Sequence, residues 1–434
     1  MTGYIGYHKR EVPAPDDELT RVGPGAPCGE WLRRSWQPVA LASEVGDTPL
    51  ALRVLGEDLV LFRDRSGRWG LLHRHCSHRG ASLEYAIVME RGISCCYHGW
   101  HYDVDGTILD TPAEPGDRIR SRVVHGAYPV EERNGIVFAY LGPPELKPRL
   151  PEFDVEAIAG TRSVPFSLET PCNWLQIYEN TQDPVHVVYL HTRISGAQFG
   201  DASGAEQALD YRETPLGMVN VQTRLWGARL WTRMTETILP NGNQTGAIWE
   251  AADRDKVLQR SSMLRWMVPV DDSHTLTIGW RFYRRELDPT GLGNPDAVGK
   301  GKIDFMGQTA ERPYDERQRQ PGDYEVQVSQ RPVAVHALEN LASSDRGVSM
   351  LRRLIRQAIR ALPQETAPRE PFRARDGRVS TFCQDTVWSV DRTRLAEFGA
   401  AVADSVIASA ADPLEERCAR LLATLQTRFK GGPS

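Results

Sequence analysis

Short apolar runs at 38–42, 52–55 and 59–62 are separated by polar turns, among them Asp64-Arg65-Ser66-Gly67, and so predict strands rather than helices. Just before them, 29–36 places Trp31, Leu32 and Trp36 on one side of a short predicted helix. A further strand at 135–141 closes this β-rich unit, and the proline-rich 142–151 reads as a semi-rigid boundary. Beyond it, Leu230, Thr232, Met234, Glu236 and Ile238 alternate in part, and 264–270 and 274–280 predict further strands. Val348, Leu351, Leu354, Ile355, Ala358, Ile359 and Leu362 then recur at helical spacing, with Arg352, Arg353, Arg356 and Arg360 on the outside as a solvated face. Segments 395–407 and 414–429 predict terminal helices, and 288–320 and 370–378 predict loops, the first placed to cover a pocket. No internal repeat is present. The pattern is that of an α+β chain, with an all-β unit first and a larger mixed unit after it.

Composition narrows the function classes. A chain of 434 residues that is 40% hydrophobic can build two or three ordinary cores. Its formal net charge of -5 argues against nucleic acid or an anionic membrane as the default partner. Residues 1–17 have charged and polar residues throughout and lack an apolar core segment, so no signal or transit peptide is expected, and no apolar run reaches membrane-spanning length. Seven cysteines, an odd number, point to a reducing cytoplasm rather than a disulfide scaffold.

The first strong motif is Cys76-x-His78, sixteen residues, then Cys95-x-x-His98. Two loops each offer a thiolate and an imidazole, a donor set that suits a tetrahedral zinc site or a two-iron, two-sulfur cluster. Glycines beside each pair (Gly80, Gly99) let backbone amides approach cluster sulfurs, which favours the cluster. Cys96 cannot take the place of Cys95 without breaking the spacing to His98, and it reads as a buried thiol. His73, His75 and His101 read as structural or surface histidines.

The second motif is Asn180-x-x-Asp183-x-x-His186, four residues, then His191. Asp183 and His186 share a helical face. His186 and His191 diverge by about 140° on an ideal helix of 3.6 residues per turn, so either the helix is distorted or His191 lies past its end. Two histidines and one carboxylate leave coordination positions open for dioxygen beside a substrate. Arg233, on a predicted strand, reads most simply as an exposed arginine; the alternative is a fork onto a substrate carboxylate.

Gly-Ala-Ser-Leu after the first ligand pair and His-Gly-Trp-x-Tyr-Asp around the second resemble the Rieske iron–sulfur domain of Rieske non-heme iron oxygenases. The likeness extends over nearly the whole chain and leans to the phthalate type, whose opening is similar to 29–36. The family usually has Pro where this chain has Ser77 and Cys96. The resemblance implies a Rieske [2Fe-2S] domain over 36–150 after an N-terminal helical segment over 1–35. Residues 151–434 would form a helix-grip (START-like) catalytic domain with an antiparallel sheet and flanking helices. It further implies that Cys76 and Cys95 hold one cluster iron and His78 and His98 the other. His186, His191 and a distant acid would hold one mononuclear Fe(II). Residues 320–327 with 338–348 resemble the segment that carries this acid, which assigns Asp323, with Glu325 as the competitor. Asp183 would couple the two centres across subunits of a homotrimer or a multiple of it.

No Gly-x-Gly-x-x-Gly follows a strand, so flavin and NAD(P)H chemistry is expected on a separate reductase, with or without a ferredoxin. The activity implied is hydroxylation or O-demethylation of an aromatic carboxylate. A structural zinc protein and a catalytically dead aromatic-binding protein are the alternatives.

Overall fold

The computed structural model describes residues 11–429 except 115, 197, 200, 206 and 251. The predicted short helix spans Pro27–Arg33, started by Pro27 in its first turn where a missing N–H costs nothing. Trp31 and Leu32 on it are fully buried. Antiparallel strands Leu50–Val54 and Glu57–Arg63 follow, and Gln37–Leu41 pairs with Ile136–Ala139, close to the strands expected from sequence; Trp69–His73, not expected, adds to Glu57–Arg63. Four very short strands, from Ile87–Val88 to Ile108–Asp110, form a separate small sheet that carries the cysteine–histidine loops.

Among the described residues the large sheet has nine strands, and its main path is antiparallel throughout. That path runs Arg162–Thr170, His274–Tyr283, Met263–Asp271, Gly242–Thr245, Arg229–Ile238, Gly217–Trp226, Gln207–Thr214. Gln384–Ser389 adds to it through Arg229–Ile238. Arg346–Ala361 buries Val348, Leu351, Ile355 and Ile359, as its periodicity predicts. Leu395–Ala408 packs against the sheet, burying Phe398, Val402 and Val406.

The arginines of Arg346–Ala361 are not merely solvated. Arg352 forks onto Glu179 and Glu339, Arg356 reaches Asp16 and Glu18, and Arg353 meets Glu213. Sequence periodicity finds which face is outside, but not which acids, most of them more than a hundred residues away, come to meet it. The loop expected over 288–320 is largely irregular, as read, but contains the helix Tyr314–Arg319.

The two units share one core. A single cluster of buried side chains runs from Leu19 and Trp31 through Phe138 and Trp280 to Leu425. At roughly 2 kcal/mol for each large apolar side chain fully buried, such a core resists hinge-like opening. The turn of the 50–63 hairpin also bonds to the large sheet, Leu55 N–H donating to Pro269 at 2.8 Å and Gly56 N–H to Val270 at 2.9 Å. A second core, with Val60, Phe62, Leu72, Ile93 and Tyr102, sits under the cysteine–histidine loops. No helix among the described residues is long and apolar enough to cross a membrane.

Candidate metal centres and the cavity beside them

The two cysteine–histidine loops are built alike. In the first, Cys76 N–H donates to Ala81 and Gly80 N–H to Cys76; in the second, Cys95 N–H donates to Trp100 and Gly99 N–H to Cys95, all between 2.8 and 3.0 Å. Gly80 and Gly99 have φ of 75° and 73°, a left-handed turn that glycine enters without strain. The loops bring both thiols together in the buried second core and the two imidazoles together above it, with ring centroids 4.6 Å apart. His78 is exposed and stacks on Trp100 at 4.7 Å and 4°. The site therefore has a dry thiol base and an imidazole face open to solvent. Two thiolates on one side and two neutral imidazoles on the other are the donors a Rieske cluster takes, one pair per iron.

Tyr102 directs its hydroxyl to Cys76 Sγ at 3.0 Å. Ser77 binds buried His125 at 2.7 Å, and His125 Nε2 meets the His73 carbonyl at 2.8 Å. This brace was not apparent from the sequence, since His125 lies 48 positions from Ser77 in no recognisable motif. Cys96 is exposed, contrary to the expectation of a buried thiol. In a loop this tight, Cys95 turns into the core and its neighbour is forced outward. His73 and His75 are exposed, as read, and His101 is half-buried.

The second centre forms on two connected helical turns. Asn173 caps Trp174–Asn180, accepting from Leu175 N–H. Asp183 then caps Pro184–Val188, its Oδ1 accepting from the N–H groups of Val185 at 3.1 Å and His186 at 3.4 Å. From Tyr189 to Ile194 the chain widens into a π-turn, and Ser195 N–H donates to Leu190. Of the two outcomes the five-residue spacing allows, this is the distorted helix. The wider turn carries His191 round toward His186, with ring centroids 5.2 Å apart.

Asp323 closes the set. Its Oδ1 lies 3.2 Å from His191 Nε2 and 3.6 Å from His186 Nε2, and the donor atoms of the three residues all fall within 4.8 Å of one another. Each histidine is held by its other nitrogen. Nδ1 of His186 donates to the Asp183 carbonyl, and Nδ1 of His191 to Gln198 Oε1 at 2.7 Å. Both Nε2 lone pairs are thereby free to face a metal. Gln308 donates to Asp323 Oδ2 at 2.8 Å, and Asn180 Nδ2 to Oδ1 at 3.1 Å.

Burial alone would raise the Asp323 pKa, but the charges of His191 and His186 outweigh it and hold the carboxyl far below its usual range. Burial would likewise lower His191, and Asp323 reverses this, leaving its pKa raised. The trio is a two-imidazole, one-carboxylate set of the kind that binds Fe(II) with open positions. Glu325 does not join it: its carboxylate accepts from Gly322 N–H and pairs with Arg312.

The trio opens on a cavity of about 90 Å³ over one face of the large sheet. Val187, Phe199, Ile248, Met263 and Phe305 give it apolar walls, and Thr235, Thr245, Arg233 and Arg265 add polar groups. Arg233 is buried, not exposed as expected, and its fork is spent on Asp385: Nε to Oδ1 at 2.8 Å and Nη2 to Oδ2 at 3.0 Å. A substrate carboxylate would have to displace that pair, so the Arg233 fork is not available as the sequence reading supposed.

Comparison with known proteins agrees with this geometry. The model of the Rieske [2Fe-2S] domain matches residues 35–126. The chain is 48% identical over 398 residues to the tert-butanol monooxygenase / tert-amyl alcohol desaturase oxygenase subunit of Aquincola tertiaricarbonis, covering 87% of this chain and 83% of that one. It is 40% identical over 382 residues to the phenoxybenzoate dioxygenase subunit alpha of Ectopseudomonas oleovorans, covering 84% and 90%. Among solved structures, dicamba monooxygenase bound to dicamba superposes with a TM-score of 0.57 at 18% identity, over 77% of this chain and 99% of that one, a likeness of fold. With its Rieske cluster, its mononuclear iron and its antiparallel-sheet catalytic unit, the chain belongs to the Rieske non-heme iron oxygenases, as an oxygenase subunit.

Proposed function

We propose that this subunit hydroxylates or O-demethylates a compact aromatic carboxylate, using dioxygen and electrons from a separate NAD(P)H-dependent reductase. The observation that carries the reading is the His186–His191–Asp323 trio opening on an apolar cavity that also holds arginine. Cys76 and Cys95 would hold one cluster iron and His78 and His98 the other; His186, His191 and Asp323 would hold the mononuclear iron. Bound there, the two centres supply single electrons and a ferrous ion able to activate dioxygen.

The chain's own residues do the rest. The Asp183 carbonyl and Gln198 fix the two imidazoles, Asn180 and Gln308 hold the carboxylate, and Val187, Phe199 and Phe305 keep water from the substrate. Asp183 has a second use in this reading. Its carboxylate is partly exposed, Tyr189 and Ile194 a few residues on are exposed, and exposed Tyr97 lies against His98 with ring centroids 3.8 Å apart. The two surfaces suit a meeting between neighbouring subunits of a homotrimer, with Asp183 linking the centres.

The relative named for phenoxybenzoate supports an aromatic acid. A second reading, oxidation of a small tertiary alcohol, is favoured by the cavity of about 90 Å³ and by the relative named for tert-butanol. For scale, an engineered cavity of about 150 Å³ takes up benzene, so a single-ring acid enters here by displacing lining side chains. The experiment is oxygen uptake with reductase and NADH across benzoate, methoxybenzoates, phthalate, biaryl acids and tert-butanol. Substrate-dependent uptake with a single-ring acid supports the first reading; uptake with tert-butanol alone replaces it with the second.

A further inference from the structure

Four arginines project from one face of the large sheet, at Arg224, Arg233, Arg265 and Arg281, as the register requires: Gln222 pairs with Arg233, Trp231 with Arg224, Asn243 with Arg265 and Met263 with Arg281. Arg233 is neutralised by Asp385 and Arg281 by Asp304, and Arg224 bonds to Gln207, Gln222 and the Ser203 carbonyl. Arg265 differs. Among the described residues its hydrogen bond is a single long one, Nε to Asn243 Oδ1 at 3.3 Å, and no carboxylate forms an ion pair with it. It lines the same cavity as His186, His191 and Asp323.

A further feature suits the position to this side chain. The neighbours on the same face are Thr245 and Met263, small or apolar, so a ring could lie against them while the guanidinium meets its acid group. Burial lowers the Arg265 pKa, and the Asp323 charge offsets this only in part. When Asp323 is committed to a divalent cation, the net charge near Arg265 turns from negative to positive, and the guanidinium loses even that support. A half-buried cation without a counter-ion is costly, and an anionic substrate supplies one.

We propose that Arg265 is the specificity-determining residue of this cavity, receiving the carboxylate of a single-ring acid and so holding the ring beside the His186–His191–Asp323 trio. The inference rests on the aromatic-carboxylate reading and names the residue that enforces it.

The test is equilibrium binding of benzoate and of its neutral isostere benzamide to the full-length, iron-loaded protein without reductase, so that nothing turns over. In the wild type, benzoate should bind at least about tenfold tighter than benzamide. In Arg265→Gln, benzoate affinity should fall about ten- to a hundredfold, as for loss of a charged hydrogen-bond partner, with benzamide changed less than about twofold. Arg265→Lys should restore part of the difference. Cluster absorbance and iron content establish that each variant is loaded.

Equal benzoate affinity in wild type and loaded Arg265→Gln overturns the role of Arg265 while leaving the substrate class standing. Loss of iron from Arg265→Gln at unchanged benzoate affinity overturns it too, and makes the arginine a support for Asp323. Should Arg265→Gln fail to fold, the wild-type pair decides: benzamide binding as well as benzoate overturns the proposal. If neither aromatic binds and tert-butanol does, the substrate reading itself fails, a distinct result.

Discussion

Asn180 Nδ2 stands 3.1 Å from Asp323 Oδ1 and 3.4 Å from His186 Nε2, joining an acid and a histidine that are 137 positions apart through a third residue that binds no metal. The trio is thus arranged by neighbours as much as by its own backbone. The predictions below separate those neighbours from the ligands.

His186→Ala should abolish product formation and leave the cluster's visible spectrum intact, because the imidazole serves one centre and the cysteine–histidine loops are built on a separate core. Turnover by the loaded variant would remove His186 from the iron site.

Gln198→Ala removes the acceptor of the His191 Nδ1 proton. Loss of such an orienting partner costs about ten- to a hundredfold in metal affinity. Titration of Fe(II) into metal-stripped protein should show that weakening, with cluster content unchanged.

Tyr102→Phe takes a hydrogen bond from Cys76 Sγ. That bond favours the reduced, more negatively charged cluster, so its loss should lower the reduction potential, by several tens of millivolts if the bond is worth about 1–2 kcal/mol. Protein-film voltammetry reads the shift, and an unchanged or raised potential contradicts the assignment of Cys76.

Iron binding should release protons near neutral pH. His191 binds metal only when neutral, and Asp323 raises its pKa above the ordinary 6.5. Below that raised pKa a proton competes with the metal, so Fe(II) affinity falls as pH drops through it. In the metal-free protein the sign reverses. The protonated pair contributes stability below the unfolded histidine pKa and loses it as pH rises through the folded one. Calorimetric titration of Fe(II) in two buffers of different ionisation enthalpy measures the release; binding with none contradicts the coupling.

Arg352→Met should destabilise the fold by about 3 kcal/mol, because Glu179 is then left buried without its bidentate partner. The urea midpoint of unfolding should fall accordingly. Arg353→Met, which breaks an exposed pair with Glu213, should cost well under about 1 kcal/mol.

The candidate ligand positions stand out in the sequence because each group is local: Cys76 with His78, Cys95 with His98, His186 with His191. The five-residue interval left two outcomes, a distorted helix or His191 past its end, and the π-turn is the first. Asp323 needed the family likeness, since a lone acid after a loop carries no periodic signal. The brace of Ser77 by His125 and the pairing of Arg233 with Asp385 were not legible, because each joins residues far apart in sequence. Strands 207–214 and 217–226 escaped for a different reason. Their inward positions carry Gln222 and Arg224, polar groups buried against one another, so the usual alternation of apolar and polar is absent.

The π-turn at Tyr189–Ile194 makes the spacing of the two histidines a matter of counting. Exposed Tyr189 can exchange for another side chain with modest effect, but adding or deleting one residue between the histidines would swing His191 about 100° off target on a helical path. The centre should therefore tolerate a change of side chain at Tyr189 and no change in the length of the segment.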